Sequence, residues 1–162
     1  MPIHDTIVFS AVIQLIIIAR LGKMPATSRT QLIELKTSEK VEIVDITEKV
    51  ESLVKSSGVR EGICVVSVPH ATASVILNEN EPGLLEDIVR EINRLFPQEG
   101  TYMHNRIDDN ASAHIAASFL GNSRIIPISG GRLIRGTWQS VLFVELDGPR
   151  ERRTVAVTVM GE

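Results

Sequence analysis

Imidazoles, carboxylates and guanidinium groups gather in four short stretches of this chain. Between them they could support proton transfer, metal ligation or recognition of an anion. In VPHATASVILNENEPG, Val68 to Gly83, residues alternate as a strand requires. Ala71, Ala73, Val75 and Leu77 form one side, and His70, Thr72, Ser74, Ile76, Asn78 and Asn80 the other. A solvated strand face usually collects Lys, Glu and Thr; this one presents an imidazole, hydroxyls and amides without a charge. Asn78, Glu79 and Asn80 fall where the strand gives way to a helix, whose first backbone amides favour an anion. Asn also caps and turns well, which is the structural account of Asn78 and Asn80.

The second stretch, YMHNRIDDNASAHIAA, packs His104, Asn105, Asp108, Asp109 and His114 into 11 residues. Histidine and carboxylate ligate zinc and other divalent ions. The spacing of His104 and His114 matches no established metal motif, and a lone helical histidine is commonly a satisfied packing residue. Convergence of His70, His104 and His114 would instead make a divalent site, for magnesium or zinc. Ala111, Ala113, Ala117 and Ser118 around His114 are small enough for another backbone or a ligand to approach. In the third stretch, PISGGRLIRGTWQ, Ser129, Gly130 and Gly131 can turn amides toward an anion, and Arg132 adds a fork of donors. Ser-Gly-Gly is equally a hairpin turn. Trp138 is a core residue or a flat wall for a heteroaromatic ring, and Gln139 can read an amide or pyrimidine edge. The fourth stretch, DGPRERR, reads as a solvated hairpin tip, with phosphate contact by Arg150, Arg152 and Arg153 as the alternative.

The elements that must position these groups follow from periodicity. TQLIELK and VEIVD read as strands around the polar link TSEK. Asp45 and Glu48 have capping-box spacing ahead of a stripe of Ile46, Val50, Leu53 and Val54, and Gly58 is a stop. ICVVSV reads as a strand buried on both faces. Pro82 opens the clearest helix, with Leu85, Ile88, Val89, Ile92, Leu95 and Phe96 at helical spacing and Pro97 closing it. Asn110–Gly121 reads as another helix, and SRIIPI, QSVLFVEL and RTVAVTV as further strands. The order predicts a single α+β domain, mainly antiparallel β-sheet in a sandwich-like arrangement, with about three helices packed on it.

A chain of 162 residues is long enough for one core. Its net charge of −3 argues against a nucleic-acid binder, which normally shows a strongly basic face. Cys64, the single cysteine, lies in the apolar ICVVSV and reads as a buried, reduced thiol of a cytoplasmic protein. Ile7–Ala19 is an apolar run of 13 residues, short of the ~20 needed to span a bilayer. It lacks the flanks of a secretory signal. Residues 1–24 are expected to be an extension outside the functional domain, 25–162. No membrane association is expected unless this segment docks as a hydrophobic helix on a partner or membrane surface.

PHATASVILNENEPG, HN-x(2)-DDNASAH, PISGGRLIRGTWQ and DGPRERR, in that order, resemble the YjbQ-like family, also called secondary thiamine-phosphate synthases. The resemblance runs from about Thr30 to Val159. It implies a compact α+β domain that assembles as a homotrimer and takes a phosphorylated small-molecule substrate. The implied activity joins hydroxymethylpyrimidine diphosphate to thiazole phosphate and releases pyrophosphate, as a weak side capacity. Carried onto this chain, the motifs give His70, Asn80, His104, Asp109 and His114 as catalytic residues. Thr72, Asn78, Glu79, Asn105, Arg132, Trp138 and Gln139 would bind substrate. Gly136 and Thr137 belong to the third motif. Many relatives have a histidine where this chain has Ser112, and an Asp where it has Gly130. Two other functions fit the same residues: a metal-dependent hydrolase, and a ligand-binding trimer without catalysis.

Overall fold

The computed structural model describes residues 27–162, so the apolar N-terminal segment lies outside the described residues. Eight strands form two antiparallel sheets. The larger has the order β1 (Thr27–Thr37), β8 (Arg150–Gly161), β3 (Gly62–Ser67), β5 (Ser123–Ser129) and β6 (Arg132–Leu133). The smaller has β2 (Glu42–Asp45), β7 (Gln139–Glu145) and β4 (Ala73–Glu79). Three helices, α1 (Thr47–Ser57), α2 (Pro82–Leu95) and α3 (Ala111–Leu120), complete the α+β domain, with a 3₁₀ turn at Met103–Arg106.

The sheets face each other across the main core. Cys64, Val66, Ile126, Val155 and Val157 come from the larger sheet, while Val75, Val141 and Phe143 come from the smaller. α1 fills the remaining inner face of the larger sheet through Ile46, Val50 and Val54, the stripe visible in the sequence. It stops at Gly58, whose φ of 75° suits a residue without Cβ. Asp45 does accept from the Thr47 amide at 2.7 Å, but Ile46 occupies the cap position, so the expected capping box is reduced to a single bond. The other face of the smaller sheet carries α2 and α3. Ile92, Ala113, Ala116 and Ala117 pack there against Val144 and Leu146. The small residues around His114 therefore serve the approach of the sheet backbone, and Ser74 is buried beneath α3 for the same reason.

This layering corrects the reading of ICVVSV. ICVVSV is not covered on both sides: Cys64 and Val66 face the core, while Ile63 and Val65 lie on the outer face, where no described element packs. The strand buried on both faces is β7, the centre of the inner layer, with Val141 through Glu145 all buried. TQLIELK and VEIVD are both strands, as read, and they fall in different sheets because the chain crosses from one layer to the other at Thr37–Val41. The VPHATASVILNENEPG stretch becomes strand only from Ala73; His70 and Thr72 sit in the turn before it.

Cys64 is buried in the main core, and burial pushes its thiol up to about 11. The folded protein should therefore resist thiol-alkylating reagents near neutral pH and become labelled only on unfolding, which mass spectrometry would read directly. Gly62 is opposite Gly161, and a Cβ there would meet the Met160 carbonyl oxygen at 2.0 Å. Gly62→Ala should destabilise the domain by about 1–3 kcal/mol in chemical denaturation, because backbone rather than a yielding side chain is in the way.

Candidate functional site

The sequence-predicted residues separate into two groups. On β4, Ala73 is opposite Glu145 at one end, and Glu79 is opposite Gln139 at the other. Six residue steps at strand rise put these ends roughly 20 Å apart.

The first end is organised by a buried ion pair. Glu145, fully buried at the end of β7, faces Arg153 of β8, whose Nε and Nη2 both donate to its carboxylate. The same carboxylate accepts from the Thr37 hydroxyl at 3.0 Å and from the Leu146 and Asp147 amides at 3.0 and 2.9 Å. Burial alone would raise the Glu145 pKa, but these bonds, Arg153 first, hold it below the ordinary carboxylate value. Arg153 Nη2 also donates to Thr72 Oγ1 at 3.1 Å, which fixes the turn carrying His70. The Thr154 amide donates to His70 Nε2 at 2.9 Å. An accepting Nε2 places the ring proton on Nδ1. Partial burial, followed by the Arg153 charge, pulls the His70 pKa below its ordinary value against the opposing influence of Glu145.

A second polar cluster adjoins it. Asp147 is buried and accepts from Lys40, Arg150 and the Asn110 side chain. Burial would raise the Asp147 pKa, and these partners, Lys40 first, bring it below the ordinary carboxylate value. The Asn110 carbonyl accepts the Ala113 and His114 amides, so this residue joins the β7–β8 turn to the start of α3. Its side-chain Oδ1 is buried without a donor among the described residues. Asn105 Oδ1 accepts from the Ala111 amide at 3.2 Å and ties the 3₁₀ turn to the same helix. This brings His104 edge-on to His114, with ring centroids 4.9 Å apart and planes at 75°. Asp109, just ahead of α3, is exposed.

The second end collects the remaining residues, each with local work. Asn78 is exposed, and its Oδ1 accepts the following amide. Asn80 donates to Asp45 at 2.8 Å, and the helix cap passes to Glu81, which accepts from Gly83 and Leu84. Glu79 is half-buried beside Gln139. Gln139 closes its own turn by accepting the Gly136 amide at 2.8 Å. Trp138 is 72% exposed and so is not a core residue. Arg132 is exposed on the wall of a cleft of about 660 Å³.

Two readings of the basic and glycine-rich stretches need correction. The Ser129-Gly130-Gly131 turn does capture an anion, but an internal one. Glu61 accepts from the Gly130 amide at 2.8 Å and the Ser129 hydroxyl at 3.1 Å, while the Gly131 amide goes to the Arg60 carbonyl. The Gly130 bond, with Ser129 behind it, holds the Glu61 pKa below its ordinary value. The solvated-tip reading of DGPRERR fails only at Arg153, which is buried against Glu145; Arg150 and Arg152 stay exposed while pairing with Asp147 and Glu34. Glu145 was the residue that sequence reasoning missed. Its signal was a lone carboxylate inside the apolar QSVLFVEL, which a buried strand tolerates only with a partner.

Among the described residues, no three His, Cys, Asp or Glu side chains come together as a metal site requires. His104 and His114 supply two imidazoles, and His70 uses its Nε2 on the Thr154 amide. A magnesium or zinc site of one chain's three histidines does not fit this geometry. No helix among the described residues is long and apolar enough to cross a membrane.

Arg153→Ala would strand the Glu145 charge and should cost about 3–5 kcal/mol at neutral pH; joint replacement of both residues by Met should cost less than the single change. A carboxylate with a lowered folded pKa adds stability above its unfolded value and loses it as pH falls through the folded one. The difference between wild type and Arg153→Ala should accordingly shrink on acidification below the ordinary Glu range, as urea titrations would show. Nitrogen NMR of His70 should show the Nδ1–H form, with a titration midpoint below that of a free histidine.

The family model described as UPF0047 protein YjbQ-like matches residues 31–162. A UPF0047 protein of Archaeoglobus fulgidus is 49% identical over 121 residues, covering 75% of this chain and 94% of the relative. The Bacillus subtilis UPF0047 protein YugU is 35% identical over 130 residues, covering 80% and 97%. A crystal structure of a YbjQ-like protein of unknown function from Sulfolobus solfataricus P2 superposes with a TM-score of 0.84 at 44% identity, covering 85% of this chain and 99% of that one. A hypothetical protein from Aeropyrum pernix K1 gives 0.81 at 47% identity, with 83% and 99% covered. With the fold, the motifs and the near-complete coverage in agreement, this chain belongs to the YjbQ-like UPF0047 family.

Proposed function

We propose that this protein is a cytoplasmic enzyme of phosphorylated small molecules, with a transferase activity like that of a secondary thiamine-phosphate synthase. The observation that carries this reading is the first end of the smaller sheet. There Asp147 holds Lys40 and Arg150, both about half exposed, and is tied through Asn110 to the start of α3, which carries His114 against His104. In the proposed reaction the thiazole nitrogen attacks the pyrimidine methylene. A C–N bond forms, the C–O bond to the diphosphate breaks, and pyrophosphate leaves with the electron pair. The nitrogen loses no proton, so the step asks for charge stabilisation at the leaving group rather than a strong base. Imidazole, ammonium and guanidinium donors at this end of the sheet are suited to that. His70, in contrast, is held neutral and bonded to backbone, which favours a positioning role.

The homotrimer is part of the same proposal. The outer face of the larger sheet supports it: Leu32 and Ile125 are 61% and 64% exposed there, and Ile63 and Val65 lie on the same face. Sedimentation of the purified protein should give three times the chain mass; a monomer would remove this part.

Activity is tested by incubating the protein with hydroxymethylpyrimidine diphosphate and thiazole phosphate and following thiamine phosphate and pyrophosphate together. Equimolar formation is expected, falling roughly 100-fold in His104→Ala/His114→Ala if both imidazoles take part. No product, with correctly folded protein, would overturn the transferase reading. Turnover of other phosphate esters that depends on added divalent metal would replace it with a metal-dependent hydrolase, and elemental analysis would then find the ion.

A further inference from the structure

We infer that the open edge of β2, with the groove between it and α2, docks an extended peptide segment of a partner protein. The segment alternates basic and apolar residues and adds one strand to the smaller sheet. The site is separate from the histidines and requires no chemistry there, so it goes beyond the transferase reading.

β2 is an outer strand of the smaller sheet and pairs only with β7. The Ile46 amide donates to the Val141 carbonyl, so by antiparallel alternation the backbone groups of Glu42 and Val44 also turn toward β7. The N–H and C=O groups of Ile43 and Asp45 point the other way, and they have no partner among the described residues. Such a row of unpaired backbone groups is a template for another strand. Alongside runs a groove of about 380 Å³. Val41 and Ile43 line one side, and Leu85 and Val89, one turn apart on α2, line the other. Leu85 and Val89 are half-buried and belong to neither core cluster. A strand added at the usual spacing of ~4.8 Å from β2 would bring every second side chain against them.

Charge selects the occupant. Glu42 and Glu86 border the groove, and Asp45 ends the edge. Glu42 accepts from Ser38 and from the Glu39 amide, and Asp45 from the Thr47 amide and Asn80. Those donors are neutral, and among the described residues none of the three carboxylates has an ion pair. Arg90, the cation at the groove, is taken by Asp87. A second β2 laid against this one would set acids beside acids, which disfavours a second copy. A partner strand bearing Lys or Arg is matched instead. Strand alternation puts Glu42 on the face opposite Ile43, so apolar residues of the partner would turn toward α2 and basic ones toward Glu42. The trimer contact proposed above uses the outer face of the larger sheet and leaves this edge open.

The probe is a capped nonapeptide alternating lysine with valine, titrated into the full-length protein and followed by calorimetry and amide NMR. Saturable binding is expected. The Ile43 and Asp45 amides should exchange rapidly with solvent in the free protein and slow by about tenfold or more on binding. Those of Glu42 and Val44, already in the ladder, should change little. Replacing lysine by glutamate, or an interior valine by proline, should weaken binding by about tenfold or more, the first through charge and the second through a lost backbone donor. Glu86→Lys should weaken it by roughly threefold, and Val89→Lys further. His104→Ala/His114→Ala should bind as wild type, which separates this proposal from the transferase reading. Absence of saturable binding would overturn it, as would binding that leaves Ile43 and Asp45 unprotected or is equal for the glutamate peptide. Protection of these amides in the protein alone would overturn it too. It would assign the edge to a second copy if it rises with concentration, and to residues 1–26 if it does not.

Discussion

One buried ion pair, Glu145 with Arg153, sets the relation between the two layers of this fold. The carboxylate belongs to the smaller sheet and the guanidinium to the larger. Burying two charges is costly unless every lone pair and proton finds a partner. Here the carboxylate collects donors from β1, from β8 and from the turn after β7, and Arg153 Nη2 also donates to Thr72. Four segments far apart in sequence must reach register together for that satisfaction to be complete. The pair therefore specifies geometry more than it adds stability, and the turn carrying His70 inherits its position from it.

The consequences run outward from there. With β8 fixed, the Thr154 amide points at His70; with β7 fixed, Asp147 meets Lys40, Arg150 and Asn110. Asn110 in turn starts α3 and carries His114 toward His104. A polar cluster at one end of the sandwich is thus linked from the buried pair to the His114 backbone by successive hydrogen bonds. The opposite end lacks such a chain. Its charged groups are held singly, Arg135 by Glu51 and the glycine turn by Glu61.

The elements were legible in the sequence because each rests on local signals. The stripe of α1, Pro82 at the start of α2 and the alternation of RTVAVTV all appear in the structure where periodicity put them. Layering was not legible, because coverage of a sheet face depends on other elements. The apolar run ICVVSV lies in the outer layer, whereas QSVLFVEL is the strand enclosed on both sides. The polar residues divide in the same manner. His104 and His114 meet because a single helix and a short turn carry both, a nearly local relation. His70 and Thr72, read from the alternation as sharing one polar face with Asn78 and Asn80, sit instead in the turn before β4, a strand length from Asn78. What spacing could not show was that the two ends would be occupied by different partners, Arg153 at one and Asp45 at the other.

The fate of the Ser-Gly-Gly turn illustrates why residue type alone over-predicts anion sites. Backbone amides in a tight glycine turn bind a negative charge whether it is a ligand or a neighbouring side chain, and folding supplies the side chain at far higher effective concentration. Glu61 precedes Gly62, whose close approach to the Met160 carbonyl fixes the start of β3, and β3 pairs with β5. The carboxylate is thereby delivered to Ser129 and Gly130 by sheet register. Residue type thus names a donor, while sheet register decides whether an internal acid has already claimed it, and at this turn Glu61 has.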